Sequence, residues 1–309
     1  MRPLVASAAL VLLLVLSACV PPPPNGSQPT VPSQETSVTI NPNAPTSWAY
    51  QLQGYANGGL EELAASPHQL VVIDLARDGG ADYFTRDEIA ALQAAGKTVL
   101  AYIEIAAIAE QRPEYPSVPR DLILNSWPGW PGEYFVQYWN ERWWEVALHP
   151  RITQALAAGF DGLYLDATVA YAEIDLELLR GETRVSLGRA MVGLIARISS
   201  YAKLQNPEFI IVPQNAPELR GYPGYIEAID GIGMEELFFL ATDQPCDADW
   251  CEENLEHVRA LRNAGKLVLA VDYADASENR AAACARYAEE GFAGYVGPVE
   301  LNELRPPCP

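Results

Sequence analysis

The chain has 309 residues, 40 of them acidic and 20 basic, for a formal net charge of −20. Such a balance argues against a nucleic-acid partner, because phosphate binding needs clustered Lys and Arg, and it favours a cationic ligand through long-range attraction. Acidity also serves solubility alone, so charge by itself names no function.

Taken in chain order, the first segment reads as a targeting signal. Arg2 precedes an apolar run from Leu4 to Leu16, which is short for a bilayer span and suits secretion. The run ends in Leu16-Ser17-Ala18-Cys19, which resembles the lipobox of bacterial lipoproteins, where the Cys becomes the lipidated first residue. Residues 1–18 are therefore expected to be a signal peptide, with Cys19 the lipid anchor of a secreted or membrane-attached, extracytoplasmic protein. Residues 19–46 are rich in Pro, Ser, Thr and Asn and poor in large apolar side chains, so they read as a tether. The folded domain is expected over residues 47–309.

From Trp48 onward, short apolar runs alternate with amphipathic segments. The expected strands are Trp48–Leu52, Leu70–Asp74, Thr98–Ile105, Gly162–Asp166, Phe209–Pro213, Gly231–Glu235, Leu267–Asp272 and Gly294–Val299. They are mostly Val, Ile, Leu and Tyr with little alternation, as expected for strands covered on both faces. Helical patterns such as Thr85–Ala95, Ser186–Gln205 and Glu252–Ala264 lie between them, and Thr85 or Asp87 suits the first N-cap. Two internal echoes support a repeated unit: LQAAGKTVLAY with LRNAGKLVLAVDY, and AAGFDGLYLD with EEGFAGYVGP. In each, a Gly ends a helix before a strand begins. Eight such units in about 250 residues predict an α/β fold, a single-domain (β/α)₈ TIM-like barrel. No GxGxxG follows an early strand to support an open dinucleotide-binding sheet.

Several strands end in a polar residue: Gln51 or Gln53, Asp74, Glu104, Asp166, Gln214 with Asn215, Glu235, and Asp272. In a barrel these ends gather at the C-terminal mouth, where active sites are built. A single Asp after a strand is often only a helix cap, but a ring of carboxylates suits glycosidic-bond hydrolysis, which needs a proton donor and a nucleophile or base. The same ring could hold a divalent metal. His68, His149 and His257 fall away from strand ends and are expected at the surface, and there is no HExxH, P-loop or CxxC motif.

The long segment after the third strand carries NSWPGWPGEYFVQYWNERWW. Aromatic faces pack on pyranose rings and add a cation–π contribution for a cationic sugar. Trp127 and Trp130, flanked by Pro and Gly, suit a loop platform, with Trp139 a further substrate contact; Trp143 and Trp144 suit the start of a helix. Four cysteines besides Cys19 allow three disulfide connectivities. Cys246 with Cys251 would close a short loop, and Cys284 with Cys308 would tie the C-terminal tail to the last helix; a zinc site is the rival reading.

Taken together, Trp48-Ala-Tyr-Gln-Leu-Gln, Val71-Val-Ile-Asp, Leu100-Ala-Tyr-Ile, Gly159-Phe-Asp-Gly-Leu-Tyr-Leu-Asp, Val212-Pro-Gln-Asn, Met234-Glu-Glu-Leu-Phe and Val271-Asp-Tyr resemble glycoside hydrolase family 114, the endo-α-1,4-polygalactosaminidase family. The resemblance implies a TIM-like barrel that cleaves a partly cationic amino-sugar polymer without cofactor or metal. It puts the family's catalytic Asp on Asp166 and its catalytic Glu on Glu235. Asp74, Tyr102, Asn215, Asp272 and Tyr273 fall on positions expected to line the groove. One stretch departs from the pattern: Glu104 stands where many relatives have Ser, and Ala107 where an acid is usual. The expected function is thus endo-glycosidase, with a non-catalytic polysaccharide-binding lipoprotein as the alternative.

Overall fold

The computed structural model describes residues 47–240 and 242–309. The signal peptide, the Cys19 anchor and the tether expected over residues 1–46 lie outside the described residues.

Eight parallel strands form the barrel wall: β1 (Trp48–Tyr50), β2 (Leu70–Asp74), β3 (Thr98–Glu104), β4 (Gly162–Asp166), β5 (Ile210–Pro213), β6 (Gly231–Glu235), β7 (Leu267–Tyr273) and β8 (Ala293–Gly297). Their hydrogen-bonded ladders run β1-β2-β3-β4-β5 and β6-β7-β8. A parallel bridge from Gln214 to Gly233 joins β5 to β6. On the other side Leu52 N donates to Leu301 O (2.8 Å), tying the segment after β1 to the segment after β8. This is the (β/α)₈ barrel expected from the sequence. Every residue of β2, β4, β7 and β8 is buried, which is why these runs read as continuously apolar.

The helices between the strands include α1 (Glu61–Ala65), α2 (Arg86–Ala94), α3 (His149–Ala158), α4 (Arg184–Gln205), α5 (Tyr225–Ala228), α6 (Asp249–Asn263) and α7 (Ser277–Glu290), with short helical turns at Glu141–Trp143 and Ala170–Glu173 besides. Thr85 caps α2 in a reciprocal capping box with Glu88. Such a box is worth about 1 kcal/mol, and it fixes where the helix starts. Gly159 ends α3 at φ +84°, a left-handed turn that lets the chain reverse directly into β4.

Inside the barrel, aromatic rings fill the space beneath the mouth. Trp48, Tyr50 and Tyr164 are buried, with the Tyr50 and Tyr164 centroids 5.1 Å apart and Trp48 5.9 Å from Tyr295. Gly233 makes room for this packing: a Cβ there would sit 2.0 Å from the Tyr164 hydroxyl oxygen. Such a clash in a close-packed interior forces backbone or ring to move.

The long excursion after β3 contains an unforeseen three-stranded antiparallel sheet. Glu133–Val136 is its centre, flanked by Ala107–Ala109 and Ile123–Ser126. Trp143 and Trp144 begin the helical segment leading into α3 and are buried, as expected, and the Trp143 indole donates to Ile105 O (2.9 Å).

The cysteines pair as Cys246–Cys251 and Cys284–Cys308, the latter fastening the tail to α7. One expectation is corrected: His68 is not a surface residue but is 1% exposed, edge-on to the Tyr295 ring. Burial and the nearby Lys97 charge push its pKa down to about 4, so it packs as a neutral ring. His149 is exposed, and His257 accepts a hydrogen bond from Arg220.

Candidate active site

The barrel mouth opens into a groove of about 290 Å³. Asp166 ends β4 and Glu235 ends β6, and both line it. The backbone turns sharply at these strand ends. Ala167 (φ +64°), Asn215 (φ +61°), Ala216 (φ +52°) and Glu236 (φ +58°) are all left-handed without being glycine. Each costs roughly 1–3 kcal/mol, and strained backbone of this kind concentrates at functional sites.

Asp166 is buried and accepts a hydrogen bond from the Tyr102 hydroxyl (2.6 Å). Burial, with the charge of Glu235 next in importance, pushes its carboxyl up to about 7 despite that hydrogen bond. Glu235 is half-buried and surrounded by donors. Asn215 Nδ2 (2.9 Å) and Gln214 Nε2 donate to one of its oxygens, and the Tyr273 hydroxyl donates to the other. The Tyr50 hydroxyl in turn donates to Gln214 Oε1 (2.8 Å), which orients that amide so that its NH₂ faces Glu235. Burial first, and the adjacent carboxylate second, raises the Tyr102 and Tyr273 pKa values well above the ordinary phenol value, so both stay protonated and able to donate.

Asp166 therefore holds its proton through the mildly acidic range, and the charge of Glu235 is part of the reason. A carboxyl NMR titration of the free protein is expected to show Asp166 titrating near pH 7. Glu235→Gln removes the neighbouring charge that helps raise this value, so the midpoint is expected to move down. A midpoint near 4 in both proteins would contradict the coupling.

Beside the pair lies a buried ionic network that the sequence reading did not anticipate. Arg112, from the excursion after β3, pairs bidentately with Asp74 (2.8 and 2.9 Å) and also contacts Glu104 (2.9 and 3.1 Å). Arg151 on α3 donates to Glu104 O (2.8 Å) and contacts Glu104 Oε2 (3.4 Å) and Glu114 (3.1 Å). Burial alone would raise the Glu104 pKa, but Arg112 and Arg151 outweigh it and hold the group below the usual carboxylate range. For Asp74 burial outweighs Arg112 and raises the pKa, so the two acids reach the groove wall bonded to the same guanidinium but not equally compensated. Arg112 carries no motif or spacing signal. The indirect clue was three strand-end acids, Asp74, Glu104 and Asp166, on adjacent strands with no cation assigned to them.

The remaining expected residues divide. Trp127, Trp130, Asn215 and Tyr273 line the groove with Tyr102. Asp272 does not: it is fully buried and accepts from Phe238 N (2.9 Å), Phe239 N (3.0 Å) and the Tyr287 hydroxyl (2.5 Å). It fastens the turn that follows Glu235. Trp139 is also not among the groove residues and stands edge-on to Tyr138, with ring centroids 4.9 Å apart. Among the described residues, no group of three or more His, Cys, Asp or Glu is arranged to hold a metal ion.

A (β/α)₈ barrel whose mouth presents a buried Asp and a hydrogen-bonded Glu across one groove has the architecture of a glycoside hydrolase. The profile of glycoside-hydrolase family GH114 matches residues 28–309, and the chain belongs to that family. An uncharacterised protein of Deinococcus radiodurans is 33% identical over 98% of both chains, and one of Thermotoga maritima is 30% identical over 74% of this chain and 71% of its own. Among solved structures, Aspergillus fumigatus Ega3 in complex with galactosamine superposes with a TM-score of 0.66 at 16% identity, covering 88% of this chain and 99% of that one. The glycoside hydrolase domain of Pseudomonas aeruginosa PelA does so with a TM-score of 0.66 at 20% identity, covering 84% and 97%. At these identities the superpositions establish the shared fold.

Proposed function

We propose that the protein is an endo-glycosidase that hydrolyses a galactosamine-containing polysaccharide, with Asp166 as nucleophile and Glu235 as general acid/base. The observation that carries this reading is the placement of the two carboxyl groups at barrel-strand ends lining one open groove, where the charge of Glu235 helps raise the Asp166 carboxyl. The galactosamine bound to Ega3, a protein of the same fold, and the net charge of −20 support a cationic amino sugar.

The roles follow from exposure. The acid/base must hand its proton to the leaving sugar and then take one from an incoming water, so it needs access to the groove. Glu235 is the more exposed of the two, and Asp166 lies deeper. In the first step an Asp166 oxygen bonds to the anomeric carbon while the glycosidic C–O bond breaks, its electron pair leaving with the oxygen, which takes the Glu235 proton. In the second, water attacks the anomeric carbon, gives a proton to Glu235 and releases Asp166. Asp166 attacks as the anion, so the proton it holds in the free protein must leave it, and Glu235 must carry one in the reacting complex. Positive charge developing at the sugar and the hydrogen bond from Tyr102 both favour that placement. NMR of the first-formed product tests the assignment: retention of the anomeric configuration is expected, and inversion would remove Asp166 from the nucleophile's role.

The same proposal places the protein outside the cytoplasm on a lipid anchor at Cys19. Cys19→Ser is expected to move the protein from the membrane to the soluble fraction of a bacterial host. Wild type already free of acyl chains by mass spectrometry would contradict the anchor.

A further inference from the structure

The acids of the groove differ in how they are paired. Asp74, Glu104, Asp166 and Glu235 all accept hydrogen bonds. The Glu133 carboxylate has no hydrogen-bond or ion-pair partner among the described residues, and only the charge of Arg112 acts in its favour, although it is half-buried and lines the same groove. Its backbone is held tightly. Trp127 N donates to Glu133 O (2.8 Å), Trp130 N to Trp127 O (3.1 Å) and Glu133 N to Trp130 O (3.2 Å). Gly129 and Gly132, at φ +89° and +85°, provide the left-handed positions that close this hairpin tip. Trp127 is braced against Phe135, with ring centroids 5.1 Å apart, while Trp130 is 50% exposed. Two indoles and one carboxyl group without a hydrogen-bond partner are thus presented to the groove from a single seven-residue unit.

We propose that Trp127, Trp130 and Glu133 form a subsite for a sugar ring bearing a free ammonium group, and that Glu133 distinguishes the free amine from its N-acetylated form. This rests on reading the groove as an amino-polysaccharide site. The chemistry follows from the cost of burying a charge without a partner. Burial first, and the Glu104 charge second, push the Glu133 carboxyl up to about 7 against the opposing charge of Arg112, so a cation placed directly on the group would hold it ionised. An ammonium supplies that cation, three donors and a cation–π attraction to the indoles. An acetamide brings a neutral amide and a methyl group, which do nothing for the carboxylate.

Binding separates this proposal from turnover. Calorimetry would compare Asp166→Asn with Asp166→Asn/Glu133→Gln and Asp166→Asn/Glu133→Asp, each checked for folding by its melting curve, on oligomers of galactosamine and of N-acetylgalactosamine. The expected result is at least tenfold tighter binding of the free-amine oligomer by the parent, about 1.4 kcal/mol. Glu133→Gln should bring the two affinities within about twofold by weakening the amine form, and Glu133→Asp should retain part of the preference. A ratio unchanged in folded Glu133→Gln protein overturns the subsite, even if wild type cleaves the polymer and the enzymatic reading stands. Loss of the ratio in Glu133→Gln supports the subsite, even if wild type cleaves nothing and the enzymatic reading falls. Binding of neither oligomer by the parent overturns both.

Discussion

Asp166→Asn and Glu235→Gln are each expected to lower the rate of polymer cleavage by at least about 10³-fold, with the fold intact. The two losses should differ in kind. Asn at 166 keeps a group that can accept from Tyr102 but cannot attack the anomeric carbon, so no covalent intermediate forms with any leaving group. Gln at 235 keeps the hydrogen-bonded frame of Gln214, Asn215 and Tyr273 but has no proton to give. Its defect should therefore be smaller on a substrate whose leaving group departs without protonation, such as a nitrophenyl glycoside. Asp166→Asn should also raise stability above pH 7 by about 1–2 kcal/mol, because it removes a carboxylate whose ionisation is opposed by burial and by Glu235. The sign follows from the raised value: the folded state holds this proton up to about pH 7, whereas the unfolded chain gives it up near 4, so the ionised group weakens the fold as pH rises between them. Parallel kinetics and urea titrations at pH 8 measure both effects. Undiminished cleavage by either variant would remove that residue from the reaction.

Arg112→Met is expected to destabilise the protein by about 3–5 kcal/mol. The substitution keeps most of the side chain's volume but leaves Asp74 and Glu104 buried, close together and deprived of their shared cation. Like charges in a buried site oppose each other and neither is solvated, so the loss far exceeds that of a surface ion pair. The defect should lessen as pH falls and the freed carboxylates take up protons. It should also be relieved in the triple variant Arg112→Met/Asp74→Asn/Glu104→Gln, which removes the stranded charges. Urea titration of the three proteins checks this, and a single-variant loss below about 1 kcal/mol would mean that the network is solvated rather than buried.

The barrel strands were legible because parallel strands covered on both faces are written as unbroken apolar runs. Leu70–Asp74, Gly162–Asp166 and Gly231–Glu235 are observed with the bounds read from the sequence. The excursion's sheet was not legible: its strands have three or four residues each and are interrupted by Pro, Gly and turns, so neither a period nor a run accumulates. Within the mouth, the ends of the strands could be read but the direction of their side chains could not. Successive residues of a strand point to opposite faces. Tyr102 and Glu104, two apart, both reach the groove, and so does Tyr273, which turns its neighbour Asp272 away toward Phe238 and Tyr287. Applying that alternation to Val271-Asp272-Tyr273 would have separated the two. The Arg112 network escaped for another reason, since its pairing with Asp74 bridges 38 residues and leaves no local pattern.

The central claim is that Asp166 and Glu235 cleave an amino-sugar polymer. It is tested most directly by counting new reducing ends on partly deacetylated polygalactosamine, beside polyglucosamine and a neutral glucan, with wild type, Asp166→Asn and Glu235→Gln. New ends on the galactosamine polymer with wild type, lost in both variants, are the predicted result. Folded wild-type protein that binds the galactosamine polymer yet releases no ends from any of the three would contradict the account and leave a polysaccharide-binding protein built on a hydrolase barrel.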